Sequence, residues 1–236
     1  MKRYVQQMAL PEIGSIGQQR LSNAKILVVG CGGLGVPLIT YLAAMGVGNI
    51  TVVDADQVEE TNLHRQFSYT PNDIGQLKVD VLASRIALQN PNCTITAIQE
   101  RFTNDSVFST AFDLICDCSD NRATRIALNH RAIELKIPLV YAAVTGWTGY
   151  VTIFNGLAGV QLTDLHPTLE STEQPEACAI SGVIPSVCGT IASIQATETV
   201  KLLLDIPSSL DGEVYAYNGL KNKVLYLRVR RGEKHS

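Results

Sequence analysis

Three sets of residues in this 236-residue chain combine types and spacing suited to chemistry on a phosphate. The first is Gly30-Cys31-Gly32-Gly33-Leu34-Gly35, a G-x-G-x-x-G pattern between an apolar strand-like run and a helical one. Glycines let backbone N–H groups approach a phosphate closely, and the N-terminus of a following helix adds free donors and positive potential. The second is Asp54, which closes the next apolar run, where a carboxylate can accept hydrogen bonds from ribose hydroxyls. The third is dispersed: Asp56, Asn62, Arg65, Gln66 and Lys78, then Asp120-Asn121. The glycines and Asp54 alone fit a nicotinamide or flavin enzyme, and they leave open a loop that is glycine-rich only for tight packing. Taken singly, Arg65 or Lys78 reads as a solvated charge.

The elements that must position these groups alternate between strand and helix over the first two-thirds. Lys25 to Val29 is a continuous apolar run, as expected of a parallel strand covered on both faces. Gly35 to Met45 reads as a helix with Pro37 in its first turn, where a missing N–H costs little, and Gly46 and Gly48 close it. Asn49 to Asp54, Thr94 to Gln99, Asp113 to Cys118 and Pro138 to Tyr141 read as strands, and Gln76 to Gln89 and Asn121 to Leu135 as helices. Later, Tyr150 to Phe154, Glu213 to Tyr217 and Lys223 to Val229 alternate like antiparallel strands around a long helix, Ser186 to Leu204. The expected class is α/β: a Rossmann-like doubly wound, mostly parallel sheet extended by antiparallel strands in the C-terminal third. One domain, 1–236, is expected, with the nucleotide-binding pattern in about 20–145.

Composition narrows the classes further. Hydrophobic residues are 46% and charged residues 17%, which is enough apolar material for a sizeable core and excludes intrinsic disorder. A net charge of −3 and an aromatic content of 6% argue against a nucleic-acid-binding surface. Residues 26–53 and 177–197 carry no charge and are long enough to span a bilayer. Their glycines, prolines and small polar residues fit buried strand–helix–strand and core-helix segments better, so no membrane span is expected. No signal-peptide h-region follows Met1, and the six cysteines include no C-x-x-C, so reduced thiols and a cytoplasmic setting are expected.

Beyond Asp54 the pattern becomes specific. Asp54-Ala55-Asp56-Gln57-Val58-Glu59-Glu60-Thr61-Asn62-Leu63-His64-Arg65-Gln66-Phe67, Ile74-Gly75-Gln76-Leu77-Lys78-Val79 and Cys118-Ser119-Asp120-Asn121 resemble the ubiquitin-activating-like superfamily, in its bacterial ThiF/MoeB/HesA branch. The resemblance covers about residues 3 to 230. It implies ATP-dependent adenylation of the C-terminal Gly-Gly carboxylate of a ubiquitin-fold sulfur-carrier protein, with release of pyrophosphate, in thiamine or molybdopterin biosynthesis. It further implies a homodimer, with carrier binding and dimerisation in about residues 146–236. By this resemblance Arg65 and Lys78 stabilise charge on the phosphates, Asp54 holds the ribose, and Asn62, Gln66 and Asn121 join the nucleotide site. Asp120 positions Mg²⁺ (the single metal expected), and Cys178 matches a cysteine of a crossover loop that in some relatives takes the activated carrier covalently. Asp56, polar and nearby, reads equally well as a loop cap.

Two departures from the family stand out. In Arg3-Tyr4-Val5-Gln6-Gln7, Gln6 replaces an arginine that in relatives reaches the partner's ATP. Arg3 or Arg20 is the available substitute. The stretches matching the family's zinc-binding C-x-x-C pairs hold no cysteine, and His166 and His235 do not make a tetrahedral set, so no zinc is expected. Gln6 also motivates an alternative, a non-catalytic nucleotide-binding half of an activating complex. A nicotinamide-dependent oxidoreductase explains Gly30 to Asp54 but gives Arg65, Lys78 and Asp120 no task.

Overall fold

The computed structural model describes residues 2–108, 110–169 and 182–232. Two helices open the chain, α1 (Val5–Met8) and α2 (Gly14–Asn23). Alternation follows: β1 (Lys25–Val29), α3 (Gly35–Met45), β2 (Asn49–Val53), α4 (Lys78–Gln89), β3 (Thr94–Ile98), β4 (Leu114–Asp117), α5 (Arg122–Leu135) and β5 (Leu139–Thr145). Then come β6 (Thr148–Phe154), α6 (Leu162–Leu165), α7 (Pro185–Leu203), β7 (Glu213–Asn218) and β8 (Lys223–Arg228). The eight strands form one sheet in the order β3-β2-β1-β4-β5-β6-β7-β8. Pairing is parallel from β3 through β5 and antiparallel from β5 to β8. The sheet is therefore α/β, with a parallel core and antiparallel C-terminal strands.

The burial follows from the apolar runs. In β1 everything but Lys25 is buried, because helices cover both faces of the sheet. One face packs Ile26, Val28 and Cys116 against α3, α4 and α7. The other packs Leu27, Val29, Ile115 and Tyr141 with Ala127, Leu128 and Ala132 of α5. Helix α3 buries Val36, Leu38, Ile39, Leu42 and Ala43, and ends at Gly46, whose φ of +88° is a left-handed cap. Within the described part of the second uncharged run, Val187, Cys188, Ile191, Ala192 and Ala196 of α7 are buried within the chain's own core. Burial in the chain's own core accounts for the apolarity of this part of the run. Among the described residues no helix is long and apolar enough to cross a membrane.

The structure differs from the sequence reading at several boundaries. Helix α4 starts at Lys78 rather than Gln76, because Leu77 forms a β-bridge with Gln57 and stays extended. The β5–β6 hairpin is longer than its apolar core, running on to Thr145 and Thr148 across Gly146 with φ +56°. Helices α1 and α2 carry weak apolar periodicity and were not anticipated. At the far edge, β8 pairs among the described residues only with β7, and all six of its residues are exposed, including Leu225, Tyr226 and Leu227.

Chain order reverses between β1 and β4, so the connections leaving their C-terminal ends diverge and open a crevice. The glycine loop leaves β1 there, and the Cys118–Asn121 turn leaves β4 beside it.

Candidate functional site

The glycine loop is shaped by contacts that only glycine allows. Gly30 has φ +104°, and a Cβ there would lie 2.5 Å from the carbonyl oxygen of Cys118. A Cβ on Gly35 would lie 1.8 Å from the carbonyl oxygen of Gly30, so the start of α3 packs directly on the loop. Gly32 is open by comparison, with the Gln66 side-chain nitrogen 3.7 Å from its Cβ position. These contacts hold the turn after β4 and the first turn of α3 against one loop, and the N–H groups at the start of α3 lie at the crevice.

Asp54 fixes the loop from the neighbouring strand. Its two carboxylate oxygens accept from the Cys31 N–H at 2.6 Å and the Asp56 N–H at 2.8 Å. Burial pushes the Asp54 carboxyl up from the usual range, and the two backbone donors oppose that rise. Asp54 is half-buried. Lys78, at the first position of α4, is buried, and its Nζ donates to Oδ2 of Asp56 at 2.8 Å. Asp56 is therefore a counter-ion rather than a simple loop cap. The Tyr69 hydroxyl spans the same region, 3.0 Å from the Cys31 carbonyl and 3.3 Å from that of Lys78.

The segment after β2 brings the remaining predicted groups over the loop. Asn62 is buried, and its Oδ1 accepts from the Glu59 N–H at 3.2 Å, which leaves its amide nitrogen as a donor. Arg65 is half-buried, with its Nη1 on the Thr61 carbonyl at 2.9 Å and its methylenes 3.5 Å from the Cβ position of Gly33. Gln66 is buried and its Oε1 has no partner among the described residues. An orphaned buried acceptor beside the open Gly32 is unusual in a finished protein core and suits a site that expects a donor.

Across the crevice, Asn121 caps α5 by accepting from the Thr124 N–H at 2.9 Å. Asp120 is exposed and makes no hydrogen bond or ion pair with a described residue. A lone exposed carboxylate beside a phosphate-shaped loop fits Mg²⁺, which keeps most of its waters and takes one or two carboxylates plus phosphate oxygens. Beyond this turn, Arg125, Tyr141, Tyr150, His166 and Leu227 help line a cavity of about 440 Å³. Burial pushes the His166 imidazole down, and the Arg125 charge adds to that.

Among the residues singled out in the sequence, the glycines, Asp54, Asp56, Asn62, Arg65, Gln66 and Lys78 fall around one loop, and the turn that carries Asp120 and Asn121 packs on that loop through Cys118 and Ser119. Cys178 and His235 lie outside the described residues. Cys31, Cys93, Cys116, Cys118 and Cys188 are free thiols and buried. Neither substitute for Gln6 is idle: Arg3 donates to the Gln89 carbonyl and Arg20 pairs with Asp205 at 2.6 Å. Sequence reasoning missed Tyr69, Asp117, Ser119 and Arg125. The Cys118–Asn121 motif, which contains Ser119 and adjoins Asp117, was the signal that could have led to those two.

Comparison with known proteins gives the class. A sulfur carrier protein adenylyltransferase of Thermus thermophilus is 37% identical over 99% of this chain and 89% of its own length. A probable molybdopterin-synthase adenylyltransferase of Porphyra purpurea is 36% identical over 92% of the chain, which spans 58% of that relative. The crystal structure of E. coli MccB with ATP superimposes with a TM-score of 0.80, at 21% identity, over 99% of this chain and 73% of that one. The chain is thus an enzyme of the adenylyltransferase class. It belongs to the ThiF family, whose model matches residues 4–236.

Proposed function

We propose that this enzyme uses ATP to activate the C-terminal Gly-Gly carboxylate of a small ubiquitin-fold sulfur-carrier protein, in the sulfur-transfer steps of thiamine or molybdopterin biosynthesis. A carboxylate oxygen of the terminal glycine bonds to the α-phosphorus as the bond to the bridging oxygen of the β-phosphate breaks. The products are the carrier acyl-adenylate and pyrophosphate. Asp54 accepts from the ribose hydroxyls, and the glycine-loop N–H groups and the Asn62 amide donate to phosphate oxygens. Arg65 and Lys78 neutralise the charge that builds on those oxygens, so Lys78 exchanges Asp56 for phosphate when the nucleotide binds. Asp120 would hold Mg²⁺, which polarises the phosphates and shields their charge. The cavity beyond Arg125 leaves room for the incoming carrier chain beside the Asp120 turn.

One observation carries this reading: Arg65, Lys78 and the Asp120 turn converge on a single glycine loop, a set of charges for which hydride transfer has no use. We read the chain as one functional unit, acting as a cytoplasmic homodimer. Because Gln6 cannot neutralise phosphate, the site works without an arginine at that position. The test is carrier-dependent exchange of labelled pyrophosphate into ATP. Arg65→Ala and Asp120→Ala should each abolish exchange, while Cys178→Ala leaves it largely intact. Absence of exchange with thiamine-type and molybdopterin-type carriers alike would sink the proposal.

A further inference from the structure

Ser119, one residue before Asp120, is held from three directions. Its N–H and its hydroxyl both donate to Oδ1 of Asp117, at 2.8 and 2.6 Å. Its carbonyl accepts from Nη2 of Arg125 at 3.0 Å. Arg125 is itself anchored: Nη1 donates to the Tyr141 hydroxyl at 2.6 Å, and the guanidinium sits 5.0 Å from the centroid of the Tyr141 ring. On the other side of Asp120, the Asn121 side chain is committed to capping α5. The end of β4, the first turn of α5 and the middle of β5 thus meet on one turn. They fix both neighbours of a residue whose own carboxylate is left exposed.

Stability is a poor explanation for this arrangement. Asp117 is fully buried, and its Oδ2 has no partner among the described residues; nor does Nε of Arg125. Burying a carboxylate with half of its acceptors unused is expensive, and a turn needs no ionised group to form. What the cluster does supply is a fixed backbone. A carboxylate on a loose loop must be ordered each time it engages a ligand, whereas one on a pre-set turn is already aimed.

We infer that Asp117, Ser119 and Arg125 are positioning residues for Asp120: they set the direction in which its carboxylate points, and none of them touches the reacting atoms. The inference rests on the proposed role of Asp120 as the magnesium-positioning carboxylate. Removing the Ser119 hydroxyl cuts one of the two bonds to Asp117 with little loss of volume, and threonine restores the same donor. Arg125→Lys tests the other side, because an ammonium cannot reproduce the planar fork that reaches Ser119 and Tyr141 together.

The experiment compares wild type, Ser119→Ala, Ser119→Thr, Arg125→Lys and Asp120→Ala in two measurements. Calorimetry follows ATP binding across a Mg²⁺ titration, and pyrophosphate exchange with the carrier gives kcat and KM. Thermal melting verifies folding. Ser119→Ala should bind ATP without Mg²⁺ as wild type does. Its Mg²⁺ requirement for half-maximal binding should rise by about tenfold, with kcat lower by about the same factor, as expected for a misaimed group. Arg125→Lys should shift in the same direction, and Ser119→Thr should recover both quantities. A Ser119→Ala protein that melts lower yet keeps the wild-type Mg²⁺ midpoint and kcat would overturn the positioning role, as would a Ser119→Thr protein no better than alanine. If Asp120→Ala itself exchanges at the wild-type rate, the reading of Asp120 falls, and this inference falls with it. An inactive Asp120→Ala beside a fully active Ser119→Ala removes the inference alone.

Discussion

Gly35→Ala puts a methyl group where the structure has a carbonyl oxygen. The added carbon would sit 1.8 Å from the backbone oxygen of Gly30, and under 3.0 Å something must shift. Both partners are backbone, so no side chain can swing away. The start of α3 and the glycine loop must separate by about 1 Å, a displacement that can cost roughly 100-fold in rate when it occurs in a catalytic arrangement. Overpacking of this kind costs about 1–3 kcal/mol, and a backbone obstacle belongs at the upper end. For a chain of this length, about 3 kcal/mol lowers the melting temperature by roughly 6–12 °C. Gly32→Ala is the matched control, because its nearest neighbour is the Gln66 side-chain nitrogen at an ordinary 3.7 Å. That variant should melt within about 2 °C of wild type, yet bind ATP about tenfold more weakly, since its methyl occupies the phosphate approach. Melting curves and ATP calorimetry on the two variants and wild type decide the matter. A Gly35→Ala protein with wild-type melting and nucleotide affinity would refute the account of loop and helix as one packed unit.

Three further outcomes are expected. Asp56→Asn removes the counter-ion of Lys78; because Asp56 is 61% exposed and Lys78 only 7%, the loss should be about 1 kcal/mol by urea unfolding. Lys78→Met should keep the fold but lower the kcat for pyrophosphate exchange by roughly 100-fold or more, the scale of losing one pre-aimed charge in the transition state. Burial pushes the Cys116 thiol up to about 12 and the Cys93 thiol up to about 11. At pH 8 the native protein should therefore release no more than one fast thiol equivalent to a disulfide reagent, against six after denaturation.

The parts of the molecule that were legible from sequence are those specified locally. The run from Lys25 to Val53 carries its own instructions: an apolar strand, glycines at the turn, a helix with an early proline, and a second strand. The helix after β4 was legible too, but Asn121 read as its first residue, whereas α5 starts at Arg122 and Asn121 caps it from the position before. The pairing of Lys78 with Asp56 was not legible, because it depends on the chain folding back so that Gln57 and Leu77 bridge. The hold on Ser119 needs β4, α5 and β5 in their final places, and nothing in the sequence around Arg125 marks it as inward-facing. Helix α2 escaped notice because its polar face dominates, and its contacts come from elements far along the chain.

The exposed β8 strand bears on how the protein behaves at high concentration. An unpaired strand edge is a template for a second copy, and Leu225, Tyr226 and Leu227 would favour such stacking. In a symmetric antiparallel pairing centred on the strand, however, Lys223 of one molecule would lie opposite Arg228 of the other at both ends. Like charges facing each other across strands are destabilising, so the edge repels its own copy. That repulsion is screened by salt. Colloidal stability in this protein is thereby tied to ionic strength, and concentrated stocks should stay dispersed in dilute buffer and cloud first as salt is added.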